Sequence, residues 1–417
     1  MPQPDATRVV IVGGGVVGLC CALTLLREGY RVSLIERDAS GESATAASCG
    51  SLAVSEIIPL SRPGILRRAP GWFFSPDGPM SIRAASLPRL LPWFLRFAGN
   101  ARAERIARIS LGLSQLTATA LEDWLALLKP LQLDAMIRSR PVLELYDSET
   151  ELAAERGYHA RRRELGFDIE EISGQQAVDL EPAIAADFAR AVIYGDWRSI
   201  TDGAGLLIAL TRAFSAAGGE LIRAEVIGFE TRNGRIEGVN TTPGRVHPAD
   251  QVVLAAGAWS RRFAPCIGRD LPLEGVIGYQ TTIAEPGFDM AHAVIYARGG
   301  FGVTPYESGL AIGGTIEFAS LDAKPDWRRA ELLMRRVRRV LPGLKNFAGV
   351  RRIGRRPMTP DTLPIIDRAP ATANLLLATG HGQLGVTSAA TTGRLIAAMV
   401  AQRIAPIDLQ PYRLDRF

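Results

Sequence analysis

Gly13, Gly15 and Gly18 form the pattern G-x-G-x-x-G between an apolar run at residues 9–12 and a helical stretch at 16–27, and Glu36 ends the next alternating run, 31–36. Such a turn suits a dinucleotide. The first glycine permits a tight turn, the second lets backbone approach a pyrophosphate, and the third lets helix and strand pack closely, while the helix N-terminus faces the phosphates. Glu36 is placed to accept hydrogen bonds from a ribose 2′-hydroxyl, which disfavours a 2′-phosphate and so NADP. Val16 and Val17 at the helix start, and Arg37 beside the acid, complete this group of expected cofactor contacts. Glycines that merely pack would need no strand, helix and acid in register. The fingerprint alone leaves NAD and FAD both open.

Two later features favour FAD. A buried strand ends at Ala255-Ala256-Gly257, far downstream, and a second glycine-lined turn, Gly380-His381-Gly382-Gln383-Leu384-Gly385, joins a strand at 374–379 to a helix at 387–401. A helix starting there aims backbone N–H groups and its positive dipole end into the cleft, where they stabilise negative charge at the N1/C2 region of a reduced flavin.

Around these turns the chain reads as a β-turn-α-β unit at its start. Residues 56–145 lose that pattern, becoming rich in Pro, Trp and Phe (Gly71-Trp72-Phe73-Phe74, then Trp93-Phe94) before a helical stretch at 116–128. A helix at 203–217, a hairpin at Asn233-Gly234 and antiparallel strands over 272–320 with a turn at Glu307-Ser308-Gly309 follow, then a basic amphipathic helix at 327–341. The fold class expected is α/β (α+β): a Rossmann-like FAD-binding domain from residues 1–60, 201–262 and 351–417, with an inserted antiparallel-sheet substrate domain from 61–200 and 263–350.

The 417 residues, 47% hydrophobic and 22% charged, supply a large core and argue against disorder. Three of the 48 basic residues are lysines (Lys129, Lys324, Lys345) and the rest are arginines interleaved with 43 acids, so the net charge of +5 does not mark a nucleic-acid protein. Cys20, Cys21, Cys49 and Cys266 have neither disulfide nor metal-ligand spacing, and no metal is expected. The uncharged stretch 9–26 is long enough to suggest a membrane span, but its four glycines belong to the nucleotide turn. Residues 65–97, with Trp72, Phe73, Phe74, Trp93 and Phe94 among Arg67, Arg68, Arg83, Arg89 and Arg96, are a candidate interfacial segment; packing of the aromatics in the core is the favoured alternative.

Gly354-Arg355-Arg356-Pro357-Met358-Thr359-Pro360-Asp361-x-x-Pro364, Gly380-His381-Gly382-x-Leu384-Gly385, Ile277-Gly278-Tyr279 and Gly313-Gly314-Thr315-Ile316-Glu317 give the chain, over nearly its whole length, a resemblance to the FAD-dependent D-amino acid oxidase, glycine oxidase and sarcosine oxidase family. Within it the sequence is most similar to the small-subunit type of bacterial D-amino acid dehydrogenase. The resemblance implies that the segment Ala46-Ala47-Ser48-Cys49-Gly50-Ser51 runs along the flavin, that Val226 meets the adenine by its main chain, and that Ala256 and Gly257 join the cofactor contacts. It implies noncovalent FAD, because no Cys or His stands at the family's attachment positions. Asp367, Val386 and Ile277 depart from the family pattern at positions that bear on the substrate.

The activity implied is oxidative deamination of a free D-amino acid, of D-proline or hydroxy-D-proline type, by hydride transfer from Cα to flavin N5. Electrons would pass to a carrier or quinone, from a cytoplasmic enzyme peripheral to the inner membrane face. An oxygen-using amine oxidase and a flavin-binding subunit of a hetero-oligomer with partner subunits are the alternatives. Arg356, before the proline, is the expected carboxylate anchor, since a planar guanidinium pairs bidentately with carboxylate, and Arg355 is expected to face away. Tyr296, ahead of Tyr279 and Tyr306, is the candidate second contact. His381 is a candidate for acid–base work, with a structural or flavin-tuning role the favoured reading.

Overall fold

The computed structural model describes residues 7–37, 43–63, 71, 78 and 80–417. One six-stranded sheet runs in the order Glu220–Arg223, Arg31–Glu36, Arg8–Val12, Gln251–Leu254, Leu375–Thr379, Ile365–Arg368, with the last strand antiparallel to five parallel ones. Its central strands are short apolar runs because both faces are covered. Val9 and Ile11 point toward the helices Val16–Arg27, Gly203–Ala216 and Gly385–Val400, whereas Val10 and Val12 point toward the three-stranded sheet Val226–Arg232, Arg235–Thr241, Arg245–Pro248. In the first hairpin of that smaller sheet, Asn233 and Gly234 take φ of 50° and 70°, the left-handed pair that a two-residue turn requires.

The larger sheet has nine strands. Val350–Met358, Glu274–Ile283, Gly309–Phe318, Phe301–Tyr306, Ala293–Tyr296, Val142–Tyr146, Arg190–Tyr194 and Ile169–Ser173 follow one another, and Met80–Ile82 pairs beside Gly309–Phe318. One face is sealed by the helix Arg328–Val340, through Leu333, Met334 and Val337 against Leu143, Val294 and Val303. The other face looks toward the first sheet.

Three elements differ from expectation. Residues 87–117 form the helices Leu87–Gly99 and Ala103–Thr117 ahead of Ala120–Leu128. Pro88 suits a helix start, and the interior Pro92 is carried because Leu90 and Trp93 bury against Phe318 and Met358, so tertiary packing overrides the local cost. The strand Val350–Met358 lies in the larger sheet, and the change of sheet falls between it and Ile365–Arg368. Its Arg- and Gly-rich sequence could not be buried on both faces as a parallel strand must be. The helix at the second glycine turn begins at Gly385, after a single 3₁₀ turn at Gly382–Leu384. Trp72, Phe73, Phe74, Arg67 and Arg68 lie outside the described residues.

Candidate active site

A cavity of about 880 Å³ lies between the two sheets. Of the expected cofactor contacts, all but Gly18, Ala46, Ala47 and Gly380 line it. Gly18 instead packs the helix onto the strand turn, where a Cβ would stand 1.9 Å from the Gly13 carbonyl oxygen. Gly380, with φ of 76°, turns the chain against Thr359. At the first turn Glu36 Oε2 accepts from the Gly14 N–H at 2.6 Å, and the Arg37 guanidinium stacks 4.1 Å from the Trp259 ring centroid. A Cβ built on Gly15, which caps the helix, meets no protein atom within 4 Å, so the backbone there faces free space in the cavity. The residues fit a dinucleotide: a bare helix N-terminus, an acid beside it, and a cradle that any side chain at residue 15 would fill.

The segment along the cavity's middle is held by backbone. Ser48 Oγ donates to the Thr45 carbonyl at 2.8 Å and accepts from Gly50 N–H at 3.2 Å. Gly50 takes φ of 64° and its carbonyl accepts from Ile200 N–H at 2.8 Å, while Ser51 pairs with Ser199. Cys49 packs where a Cβ on Gly313 would stand 2.4 Å from its sulfur, and burial pushes its thiol up to about 12, so it is a neutral packing group. On the opposite side the Gly382–Leu384 turn and the Gly385 helix start close the wall.

Arg356 enters from the strand Val350–Met358. Its Nη1 donates to the Thr315 carbonyl at 3.1 Å, and burial lowers the guanidinium's pKa. Among the described residues no carboxylate pairs with it, which leaves a desolvated cation facing the cavity. Arg355 projects the other way, with Nη2 donating to Ala323 carbonyl at 2.8 Å, although part of the residue also lines the cavity.

Tyr296 is among the residues that line the cavity. Tyr296 packs with Phe188 and Phe301 in the cluster on the far face of the larger sheet, and its hydroxyl donates to Asp147 at 2.5 Å. Strand alternation turns the two side chains apart: Ile295, one residue earlier, packs into the cluster on the cavity side, while Tyr296 borders the cavity with its ring packed on the other face. Tyr279 donates to Glu317 on that same far face, and Tyr306 donates to the Ser48 carbonyl at 2.9 Å, supporting the middle segment. His381 is buried, with its pKa lowered to about 3 by desolvation, and its Nε2 sits 3.0 Å from Thr392 Oγ1. Burial favours the neutral ring, and its hydrogen-bond partner Thr392 ties it to the helix behind it.

The sequence missed one wall altogether. Glu56, Arg62, Glu144, Glu155 and Arg162 all line the cavity. Their only local signal is Glu56, a lone acid within the apolar stretch 52–60.

The profile of the family described as FAD dependent oxidoreductase (DAO) matches residues 8–399. The chain is 30% identical over 422 residues to a D-amino-acid oxidase of Bradyrhizobium diazoefficiens, covering all of both proteins. It is also 30% identical to D-amino acid dehydrogenase 2 of Ralstonia nicotianae, covering 98% of this chain and all of the relative. Among solved structures, glycine oxidase from Geobacillus kaustophilus shares the fold with a TM-score of 0.75 at 22% identity, over 99% of this chain and all of that one.

Proposed function

The chain belongs to the FAD dependent oxidoreductase family, and from that premise we propose that it oxidises a free D-amino acid to the corresponding imino acid, which water then hydrolyses to a keto acid and ammonia. The observation that carries the reading is Arg356, a half-buried, partly desolvated cation at the cavity wall that no acid of the described residues neutralises. An α-carboxylate supplies the missing charge, and the planar fork holds it in two parallel hydrogen bonds that fix the orientation of Cα. FAD, when bound, supplies the acceptor for the two electrons leaving Cα. The protein's own part is to grip, orient and exclude water. The names of the two curated relatives support the D-series.

For the electron acceptor, a membrane-borne quinone or other carrier is favoured by one surface feature. Leu87, Leu91 and Leu95, spaced four residues apart on the helix Leu87–Gly99, are 49%, 58% and 66% exposed. The aromatics of this helix turn inward, Trp93 against Phe97 and Phe318, and Arg83 and Arg89 pair with Glu317 and Glu274. The leucine stripe with Arg96 is therefore the surface that would lie on a bilayer. No helix among the described residues is long and apolar enough to cross one. The oxidase alternative has the name of the Bradyrhizobium relative in its favour. Reduction of the bound flavin by a panel of D- and L-amino acids without oxygen, then reoxidation by a quinone analogue or by air, tests both halves of the reading.

A further inference from the structure

The cavity carries opposite charge requirements on two walls. Arg356 marks one. The other is built by Glu56, Glu144, Glu155, Arg62 and Arg162. Arg62 pairs with Glu155, Glu144 accepts from the Tyr146 and Tyr194 hydroxyls at 2.7 and 2.5 Å, and Arg162 Nη2 stands 3.5 Å from Glu56. His159, beside Arg162, is neutral because burial lowers its pKa to about 3. Three carboxyl groups face two guanidiniums on this wall, and burial, the largest influence on Glu56, pushes its carboxyl above the ordinary value, so a cation brought beside it would restore the charged form.

Glu56 is the least tightly partnered of these carboxyl groups among the described residues. Its backbone is pinned on the preceding residue, where Ser55 O accepts from Arg162 Nε at 2.9 Å and Ser55 Oγ accepts from Trp197 Nε1 at 2.5 Å. Glu56 lines the cavity, and among the described residues its ion pair is the 3.5 Å approach of Arg162, too long to count as a strong charge-assisted hydrogen bond. A carboxylate has about four acceptor positions. Arg162 is already committed to Ser55 and His159, so Glu56 keeps acceptor capacity facing the space a ligand would fill.

The separation of the walls sets the length of that ligand. Arg356 and Glu144 project from the same face of the larger sheet, along the cross-strand row Gly313, Gly302, Ile295, Glu144. Three strand spacings separate the strand of Thr315, which holds Arg356, from that of Glu144, roughly 14 Å. Glycine or proline anchored at Arg356 would leave the charged wall untouched, whereas an extended arginine or lysine reaches toward it.

We propose that Glu56 and its surrounding wall form a subsite for a cationic side chain, so that the preferred substrate is a basic amino acid whose guanidinium or ammonium is held by Glu56. The inference rests on the reading of Arg356 as the carboxylate anchor. Its test uses the FAD-loaded protein and compares D-arginine with D-citrulline, which has the same length and no charge, with D-norleucine as an apolar reference. The kcat/KM for D-arginine exceeds that for D-citrulline at least tenfold, and Glu56→Gln brings the ratio close to one, chiefly through the KM for D-arginine. Glu56→Asp, which keeps the charge, retains part of the preference. D-citrulline or D-norleucine serving the unmodified enzyme as well as D-arginine would overturn the subsite and leave the Arg356 reading standing. Loss of activity in Glu56→Gln toward all three with the ratio preserved also overturns it, since that is what a purely structural role gives. Should Glu56→Gln fail to hold flavin, the ratio in the unmodified enzyme and in Glu56→Asp decides. Failure of every D-amino acid to reduce the flavin overturns the functional reading itself.

Discussion

The guanidinium of Arg356 occupies the space that a side chain at residue 278 would take: a Cβ on Gly278 would lie 2.3 Å from Nη1. The two residues sit on adjacent strands, and the Thr315 carbonyl fixes the guanidinium from the third. Thr315 adopts φ of 65°, a conformation unusual for a β-branched residue, which marks a locally constrained backbone beside the anchor. Gly278→Ala therefore displaces the flexible end of Arg356 rather than the sheet. We expect KM for the amino acid to rise at least tenfold with flavin content and melting temperature little changed; an unaltered KM would show that the guanidinium's position is unimportant.

Gly15→Val removes the cofactor. A Cβ there meets no protein atom within 4 Å, so the fold has room for the branch point, and the methyls it carries enter the free space at the helix N-terminus where a pyrophosphate must approach. The purified variant is expected to be colourless at 450 nm and folded by circular dichroism. Stoichiometric flavin in it would contradict the placement of the cofactor.

His381 makes stability depend on pH. Its folded pKa of about 3 lies below the ordinary value of 6.5, so the unfolded chain binds the proton first. Its contribution is complete above about pH 6.5 and is lost as pH falls from there toward 3, at up to about 1.4 kcal/mol per pH unit for one proton. His159, also lowered to about 3, acts in the same direction. Urea midpoints measured at pH 7.5, 6 and 5 should fall, and His381→Gln should lessen the slope. An equal slope in the variant would mean that this ring is not the buried neutral group described.

The exposed leucines predict lipid contact. Flotation with anionic vesicles at low salt should carry the protein upward, and the double change Leu91→Asp, Leu95→Asp should leave it at the bottom without loss of flavin. No co-migration of the unmodified protein would remove the membrane from the account.

What could be read in the sequence follows the range of the interactions that fix it. The turn at Gly13, Gly15, Gly18 and Glu36 is specified by neighbours within thirty residues, and the structure places it as the spacing implies. Arg356 was legible through its motif, although the identity of its strand's partners was not. Tyr296 borders the cavity, but the direction of its ring was not legible, because it depends on strand pairing with Leu145 and Phe301, far away in the chain. The wall of Glu56, Glu144, Glu155 and Arg162 is drawn from separate stretches and exists only once the larger sheet and the helix Arg156–Glu164 are assembled. The helix Leu87–Gly99 was hidden by its prolines, whose local cost is outweighed by burial that no window of sequence displays.

The most direct test of the account is Arg356→Leu assayed with a reactive D-amino acid and with the corresponding amine lacking the carboxylate. Removing a desolvated charge-assisted pair should lower kcat/KM for the amino acid by about 2–5 kcal/mol in transition-state terms, with Arg356→Lys recovering part and flavin content normal. The weak activity toward the amine should be indifferent to the change. Equal losses for both compounds would contradict the account, because Arg356 would then be supporting the fold or the flavin rather than holding the substrate carboxylate.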